Sequence, residues 1–256
     1  MIQLYTEQRG NPDKPRLVML HGWGMNSSIW QRVLPALEDH FSITLIDLPG
    51  LGQSPALDNL TFDAAVDALL AVAPEQAHWL GWSLGGQLAV AAAAKAPERV
   101  SALVMVASNP CFVARDDWAS AMDTETYQGF KSALADNPAK TLTRFIMLQT
   151  QGAEAGRETL KLLKQLVKED QPSALAPALT LLETDVRNAL AELSMPVLLQ
   201  FGENDLLVPA SAAEGCAALN PVAKTAVYGG AGHLPFISHA ESWCDEVIAF
   251  LSEARA

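Results

Sequence analysis

Residues 78–95 carry the feature that most limits what this chain can become: a short apolar run, His78-Trp79-Leu80, then Gly81-Trp82-Ser83-Leu84-Gly85-Gly86, then an alanine-rich run to Lys95. The first part suits a buried strand and the last a buried helix. A Gly-x-Ser-x-Gly sequence that joins a strand to a helix demands a very tight turn, with the serine in a strained backbone conformation. Side chains beside that turn would collide with the adjacent strand or helix, and Gly81 and Gly85 remove them. The strain lifts the Ser83 hydroxyl clear of the sheet, and the positive end of the following helix lies behind it. The same letters also fit a glycine-rich turn with an inert serine. What decides between the two is whether the rest of the chain supplies partners for a nucleophile.

Apolar runs at 17–20, 43–46, 102–107, 196–201 and 224–228 read as further strands, with a short edge strand over 2–8. Helical patterns cover 28–38, 61–73, 210–219 and 241–253, and Thr61 is a candidate N-cap. Continuous apolar strands alternating with helices predict the α/β class, a mostly parallel sheet with helices on both faces. The alternation stops near Pro110. Between Cys111 and Asp185 helical stretches fit near 123–135, 138–150, 154–169 and 173–184, with no convincing strand. The expected organisation is one α/β core from residues 1–110 and 186–256, with 111–185 inserted as a helical lid.

Half of the 256 residues are hydrophobic and 18% are charged, enough for a substantial core and against global disorder. A net charge of -12 and a pI near 4.8 argue against nucleic-acid and anionic-membrane partners. The first residues lack the basic and apolar regions of a signal peptide, and no apolar run reaches membrane-spanning length. Cys111, Cys216 and Cys244 are odd in number and widely spaced, which suits reduced thiols and not a disulfide frame or zinc site. The expectations are a cytoplasmic monomer with no metal and no cofactor.

A serine hydroxyl needs a base to take its proton, and the base needs an orienting carboxylate. In a parallel α/β sheet the reactive groups sit on loops at the carboxyl ends of strands. Phe201-Gly202-Glu203-Asn204-Asp205 offers the acid, with Asp205 preferred and Glu203 the alternative. Gly229-Gly230-Ala231-Gly232-His233 offers the base. His40 and His78 lie at the wrong strand ends, and His239, at the start of the last helix, reads as a surface or capping histidine. His21 is at the right end, but in a loop better suited to another task. The oxyanion formed on carbonyl attack needs two aimed donors. The backbone N–H of Leu84 and that of Trp23, in the loop His21-Gly22-Trp23-Gly24, are the candidates.

His21-Gly-Trp-Gly24, Asp47-Leu-Pro-Gly-x-Gly-x-Ser54, Gly-Trp-Ser83-Leu-Gly-Gly, Asp205-x-x-Val-Pro and Gly-His233-x-Pro-Phe together resemble the α/β-hydrolase superfamily over nearly the whole chain. The order Ser, Asp, His is the order of that superfamily. More narrowly, the stretches at 20–24, 79–86, 106–116, 144–150 and 233–239 resemble its carrier-protein methyl-ester esterases. That resemblance implies hydrolysis of the methyl ester of pimeloyl-[acyl-carrier protein] in biotin synthesis, with Ser83, Asp205 and His233 as the triad. It implies Trp23, Leu84 and residues Phe145, Ile146, Met147, Leu148 and Gln149 at the acyl site. It also implies Lys140, Arg144, Arg157 and Lys161 facing an acyl carrier protein as partner, though lysine cannot reproduce the bidentate geometry of arginine. Independently, Arg157, Lys161, Lys164 and Lys168 form one helical stripe beside Leu160, Leu163 and Val167. That stripe also fits an ordinary solvated face. Other readings of the same motifs are a general short-chain esterase, lactone or carbon–carbon bond hydrolysis, or a ligand-binding relative without activity.

Overall fold

The computed structural model describes residues 3–154, 156–168 and 174–254. Its strands are β1 (Thr6–Arg9), β2 (Arg16–Leu20), β3 (Ser42–Ile46), β4 (Ala77–Trp82), β5 (Val100–Val106), β6 (Val197–Gly202) and β7 (Lys224–Tyr228). They form one sheet in the order β1-β3-β2-β4-β5-β6-β7. β1 runs antiparallel to β3 at one edge, and all other neighbours are parallel. Every residue of β4 and β6 is buried, so both faces of the sheet are covered there. In register, Leu20 lies opposite Gly81, Trp82 opposite Val106, and Val106 opposite Gln200. The carboxyl ends of the central strands are therefore level, and the loops that follow them meet along one edge.

The helices are α1 (Leu34–Glu38), α2 (Phe62–Val72), α3 (Leu84–Lys95), α4 (Thr124–Asp136), α5 (Pro138–Thr150), α6 (Gly156–Lys168), α7 (Leu175–Thr180), α8 (Arg187–Glu192), α9 (Ala212–Leu219), α10 (Pro235–Ser238) and α11 (Ala240–Glu253). α1 packs on α11; α2 packs on α3, α3 on α8, and α8 on α9. α3 is apolar all round because it is central, with residues from Leu84 to Ala93 almost all buried. Thr61 caps α2 by accepting the Ala64 amide at 3.1 Å. Asp123 and Asn137 cap α4 and α5 in the same way, and Pro138 opens α5. From Cys111 to Asp185 the described residues add no strand to the sheet; isolated bridges such as Cys111 with Asp185 tie the ends of this segment together. The three cysteines are buried and free.

The structure departs from the expected helix over 28–38. A 3-10 turn, Ser27–Trp30, comes first, and α1 starts only at Leu34. Pro35 has no N–H to give to an upstream carbonyl, so it fits only the first turn of a new helix. The stretch 173–184 splits into α7 and a 3-10 turn, Leu181–Glu183. α8 and α10, at six and four residues, are too short to leave a periodic pattern.

Candidate active site

Ser83 stands at the turn between β4 and α3 with φ 55 and ψ -121, a left-handed conformation that a side chain rarely adopts. Only Ser83 and Ala107 share positive φ among the described non-glycine residues. The strain is held from several sides. The Ser83 amide donates to Val106 at 2.9 Å, and its carbonyl accepts from Gly86 at 2.9 Å and from the Ser108 hydroxyl at 2.7 Å. A Cβ at Gly85 would lie 2.5 Å from the His21 carbonyl oxygen and 2.6 Å from that of Leu20. A Cβ at Gly81 would press into the backbone of Gly85. The two motif glycines are thus sites of backbone contact on either side of Ser83.

The loop after β6 carries Asp205, and the loop after β7 carries His233. Oδ2 of Asp205 lies 2.7 Å from Nδ1 of His233, with both side chains buried. Oδ1 of Asp205 accepts the amides of Leu207 at 2.8 Å and Val208 at 3.1 Å. Glu203 points elsewhere: its Oε2 accepts the Gly230 amide at 2.8 Å and braces the loop before His233. The His233 amide donates to the Gln149 carbonyl at 3.2 Å, and the His233 carbonyl accepts from the Trp82 indole at 2.8 Å. Nε2 of His233 is buried and has no hydrogen-bond partner among the described residues. Its ring lies 5.4 Å from that of Trp82, the residue before Ser83.

His21 is tied into the neighbouring loops, its Nδ1 2.8 Å from the Gly22 carbonyl and its Nε2 accepting the Leu48 amide at 2.9 Å. His239 starts α11 beside the Ser238 hydroxyl, and His78 lies at the amino end of β4. At Gly22 a Cβ would be 3.0 Å from Cε3 of Trp82 and 3.2 Å from Cβ of Ser83, so glycine lets the 21–24 loop come this close without a shift of its neighbours. Trp23 follows Gly22 directly in that loop, and its ring is fully buried. Leu84 opens α3, where amides have no partner within the helix. The Asp47 motif is a scaffold: its Oδ1 accepts the Ser27 amide at 2.8 Å, its Oδ2 accepts the Gln53 amide at 2.8 Å, and Ser54 donates to its carbonyl at 2.6 Å.

Residues 15–240 match the alpha/beta hydrolase fold family. The chain belongs to that family. It is 43% identical to the pimeloyl-[acyl-carrier protein] methyl ester esterase of Klebsiella pneumoniae subsp. pneumoniae, over 91% of this chain and 92% of that one. It is 41% identical to the protein of the same name from Pectobacterium carotovorum subsp. carotovorum, over 98% and 99%. An esterase from Exiguobacterium antarcticum has the same fold, with a TM-score of 0.86 at 19% identity over 99% and 96% of the two chains.

In this alpha/beta hydrolase the segment between β5 and β6 stands next to the site. The Trp23 indole donates to the Leu175 carbonyl at 2.8 Å, and its ring meets Phe145 edge-on at 4.8 Å. A largely apolar cavity of about 280 Å³ is lined by Phe112, Tyr127, Phe130, Phe145 and Leu148, with Arg144 also on its wall. Ile146 is buried, whereas Met147 is 50% exposed on a separate surface groove that it shares with Arg157 and Leu160. The side-chain amide of Gln149 is buried, and neither its Oε1 nor its Nε2 has a hydrogen-bond partner among the described residues. Lys140 and Arg144 on α5, and Arg157, Lys161 and Lys164 on α6, are exposed. α5 packs against α6. Leu163 is buried beneath them; the side chains of Val167 and Lys168 lie outside the described residues.

Three hydrogen bonds stitch the α5–α6 turn to the acid and base loops. His233 donates to Gln149, Glu154 donates its amide to Gly230 at 3.1 Å, and the Asn204 side chain donates to Gly152 at 3.0 Å. Sequence reasoning did not single out Asn204, Ser108 or Trp82. Their only signal is position: each adjoins the end of a central strand.

Proposed function

We propose that the chain is a serine carboxylesterase that hydrolyses the methyl ester of pimeloyl-[acyl-carrier protein] in biotin synthesis. The observation that carries the chemistry is the buried Asp205–His233 pair, 2.7 Å apart, with Nε2 left for a proton from Ser83. The substrate rests on relatives 41–43% identical over nearly the whole chain that bear this name.

In this reading Ser83 Oγ attacks the ester carbonyl as His233 Nε2 takes its proton. The oxyanion is met by the amides of Leu84 and Trp23. Collapse returns the proton to the leaving oxygen, and methanol departs. Water, deprotonated by His233, then attacks the acyl-enzyme and releases the free carboxylate and Ser83. Asp205 holds the imidazole in the tautomer that can accept at Nε2 and steadies its positive charge.

Residues 111–185 act as the lid. The cavity bounded by Phe145 and Leu148 supports an apolar seat for the acyl chain. The exposed cations Lys140, Arg144, Arg157 and Lys161 support a face for the acidic carrier. All these groups come from one chain, which supports a monomeric working unit. The free buried thiols support a reducing, cytoplasmic compartment; no described helix is long and apolar enough to cross a membrane.

The test is methanol release from the carrier-bound methyl ester by purified protein, alongside growth rescue of a biotin-requiring strain that lacks its own esterase. Ser83→Ala should lose turnover by a factor on the order of 10⁶ with the fold retained. Rescue by Ser83→Ala, or wild type that leaves the ester intact, refutes the proposal.

A further inference from the structure

We infer that Trp82 is a positioning residue for His233, acting through the hydrogen bond from its indole N–H to the His233 carbonyl. The inference rests on the hydrolase reading above. Trp82 occupies the free position of Gly-x-Ser-x-Gly, where the turn itself asks for no particular side chain. Its backbone is the last residue of β4, paired with Val106 of β5 in the buried centre of the sheet.

Its side chain reaches across 151 positions of sequence to donate to His233 at 2.8 Å, in a buried setting. The same ring lies 5.4 Å from the imidazole and meets Phe236, just beyond His233, edge-on at 5.5 Å. On its other side it abuts Gly22: a Cβ there would come within 3.0 Å of Cε3. One indole therefore touches the base loop and the oxyanion loop, and its backbone leads directly into the nucleophile.

The backbone of His233 is then held at both ends. Its amide donates to Gln149 and its carbonyl accepts from Trp82. With both flanking peptide planes set, the imidazole has a fixed base from which Asp205 can orient it. Without the Trp82 donor, the buried carbonyl loses its partner and that peptide plane is free to turn. Small displacements of a base cost rate more than binding, because the proton transfer depends on distance and angle.

The strand supplies its own control. Trp79, also fully buried in β4, has an indole nitrogen with no hydrogen-bond partner among the described residues. Replacing either tryptophan by phenylalanine removes an indole N–H and shrinks the ring by the same amount. Only at position 82 does that also break a bond to the base loop.

The experiment measures kcat and KM for a small neutral ester, normalised to sites titrated with a fluorophosphonate, for Trp82→Phe and Trp79→Phe. The expected result for Trp82→Phe is a fall in kcat per titrated site of at least about tenfold, or ~1.4 kcal/mol, with KM changed less than about twofold. The fluorophosphonate inactivation rate should fall in step. Trp79→Phe should stay within about twofold of wild type on both measures. To keep folding out of the answer, a benzothiophene analogue of tryptophan placed at position 82 retains the ring shape without the N–H, and should show the same loss. Unchanged kcat per titrated site in either position-82 variant, or equal losses in Trp79→Phe and Trp82→Phe, overturns the inference. An active Ser83→Ala would instead sink the hydrolase reading, so the two failures are distinguishable.

Discussion

Asp205 reaches His233 with one carboxylate oxygen, 2.7 Å from Nδ1, and commits the other to the amides of Leu207 and Val208. The carboxylate is locked in its own turn before it meets the imidazole. Glu203, two residues earlier, has its oxygen on the Gly230 amide. Asp205→Asn should therefore keep the fold and lower kcat by a factor on the order of 10⁴, as an amide in this position favours the wrong tautomer. Glu203→Gln should leave kcat within about threefold of wild type, because the glutamine oxygen can still accept the Gly230 amide and the loop hydrogen bond is only weakened. Steady-state kinetics on any hydrolysed ester compare them; a larger loss in Glu203→Gln would reverse the assignment of the acid.

Gly85→Ala should be among the most damaging single-methyl changes. The added Cβ would stand 2.5 Å and 2.6 Å from two carbonyl oxygens of the β2 end, and backbone cannot swing aside as a side chain can. A loss of about 3 kcal/mol or more is expected from such overpacking, read as a lower urea midpoint. A midpoint equal to wild type would mean that the turn can open.

Reversal of Arg144 and Arg157 to Glu should raise KM for the carrier-bound methyl ester and spare a small neutral ester. Both side chains are exposed on α5 and α6. The chain carries a net charge of -12, so attraction of an acidic carrier must come from a local patch, effective within about one Debye length, ~8 Å at physiological salt. Rim charges act mostly through encounter rate and salt dependence. Added salt should thus weaken the wild type more than the variant on the carrier substrate. Equal losses on both substrates would indicate misfolding of the helical segment, and no loss on either would make the cations a solvated face.

Acid should loosen the place where the helical segment rejoins the sheet. There Val186 donates to Pro110 at 2.8 Å, and Arg187 pairs with Asp185 at 2.7 Å and Asp117 at 3.0 Å. Partial burial pushes the Asp185 carboxyl up, but hydrogen bonds and charge from Arg187, with the charge of Arg115, outweigh it and hold the group below its ordinary 3.8. A depressed folded value means that the unfolded chain binds the proton more readily as pH falls. The stabilisation is complete above 3.8 and is lost as pH drops from there through the lower folded value. Asp185→Asn should remove this part of the acid sensitivity. Thermal melts between pH 5 and pH 2, on the order of the carboxylate range, would show it as a flatter acid limb. Parallel limbs for the two proteins would exclude the pair as a source of acid lability.

The α/β class and the strand–serine–helix turn were legible in the sequence because their causes are local. Burial on both faces makes β4 and β6 predominantly apolar, with His78 and Gln200 the polar exceptions, and close backbone contact admits nothing larger than glycine at Gly81 and Gly85. The loops that carry Asp205 and His233 were legible as strand ends. What the sequence left open was decided by direction in space. Glu203 and Asp205 are both carboxylates on one loop, and only the tertiary structure turns one toward His233 and the other toward Gly230. The same is true of Trp82, Ser108 and Asn204, whose partners His233, Ser83 and Gly152 lie 151, 25 and 52 positions away. Local propensity governs a few residues of backbone at a time; a hydrogen bond between distant loops exists only once the sheet has brought the strand ends level.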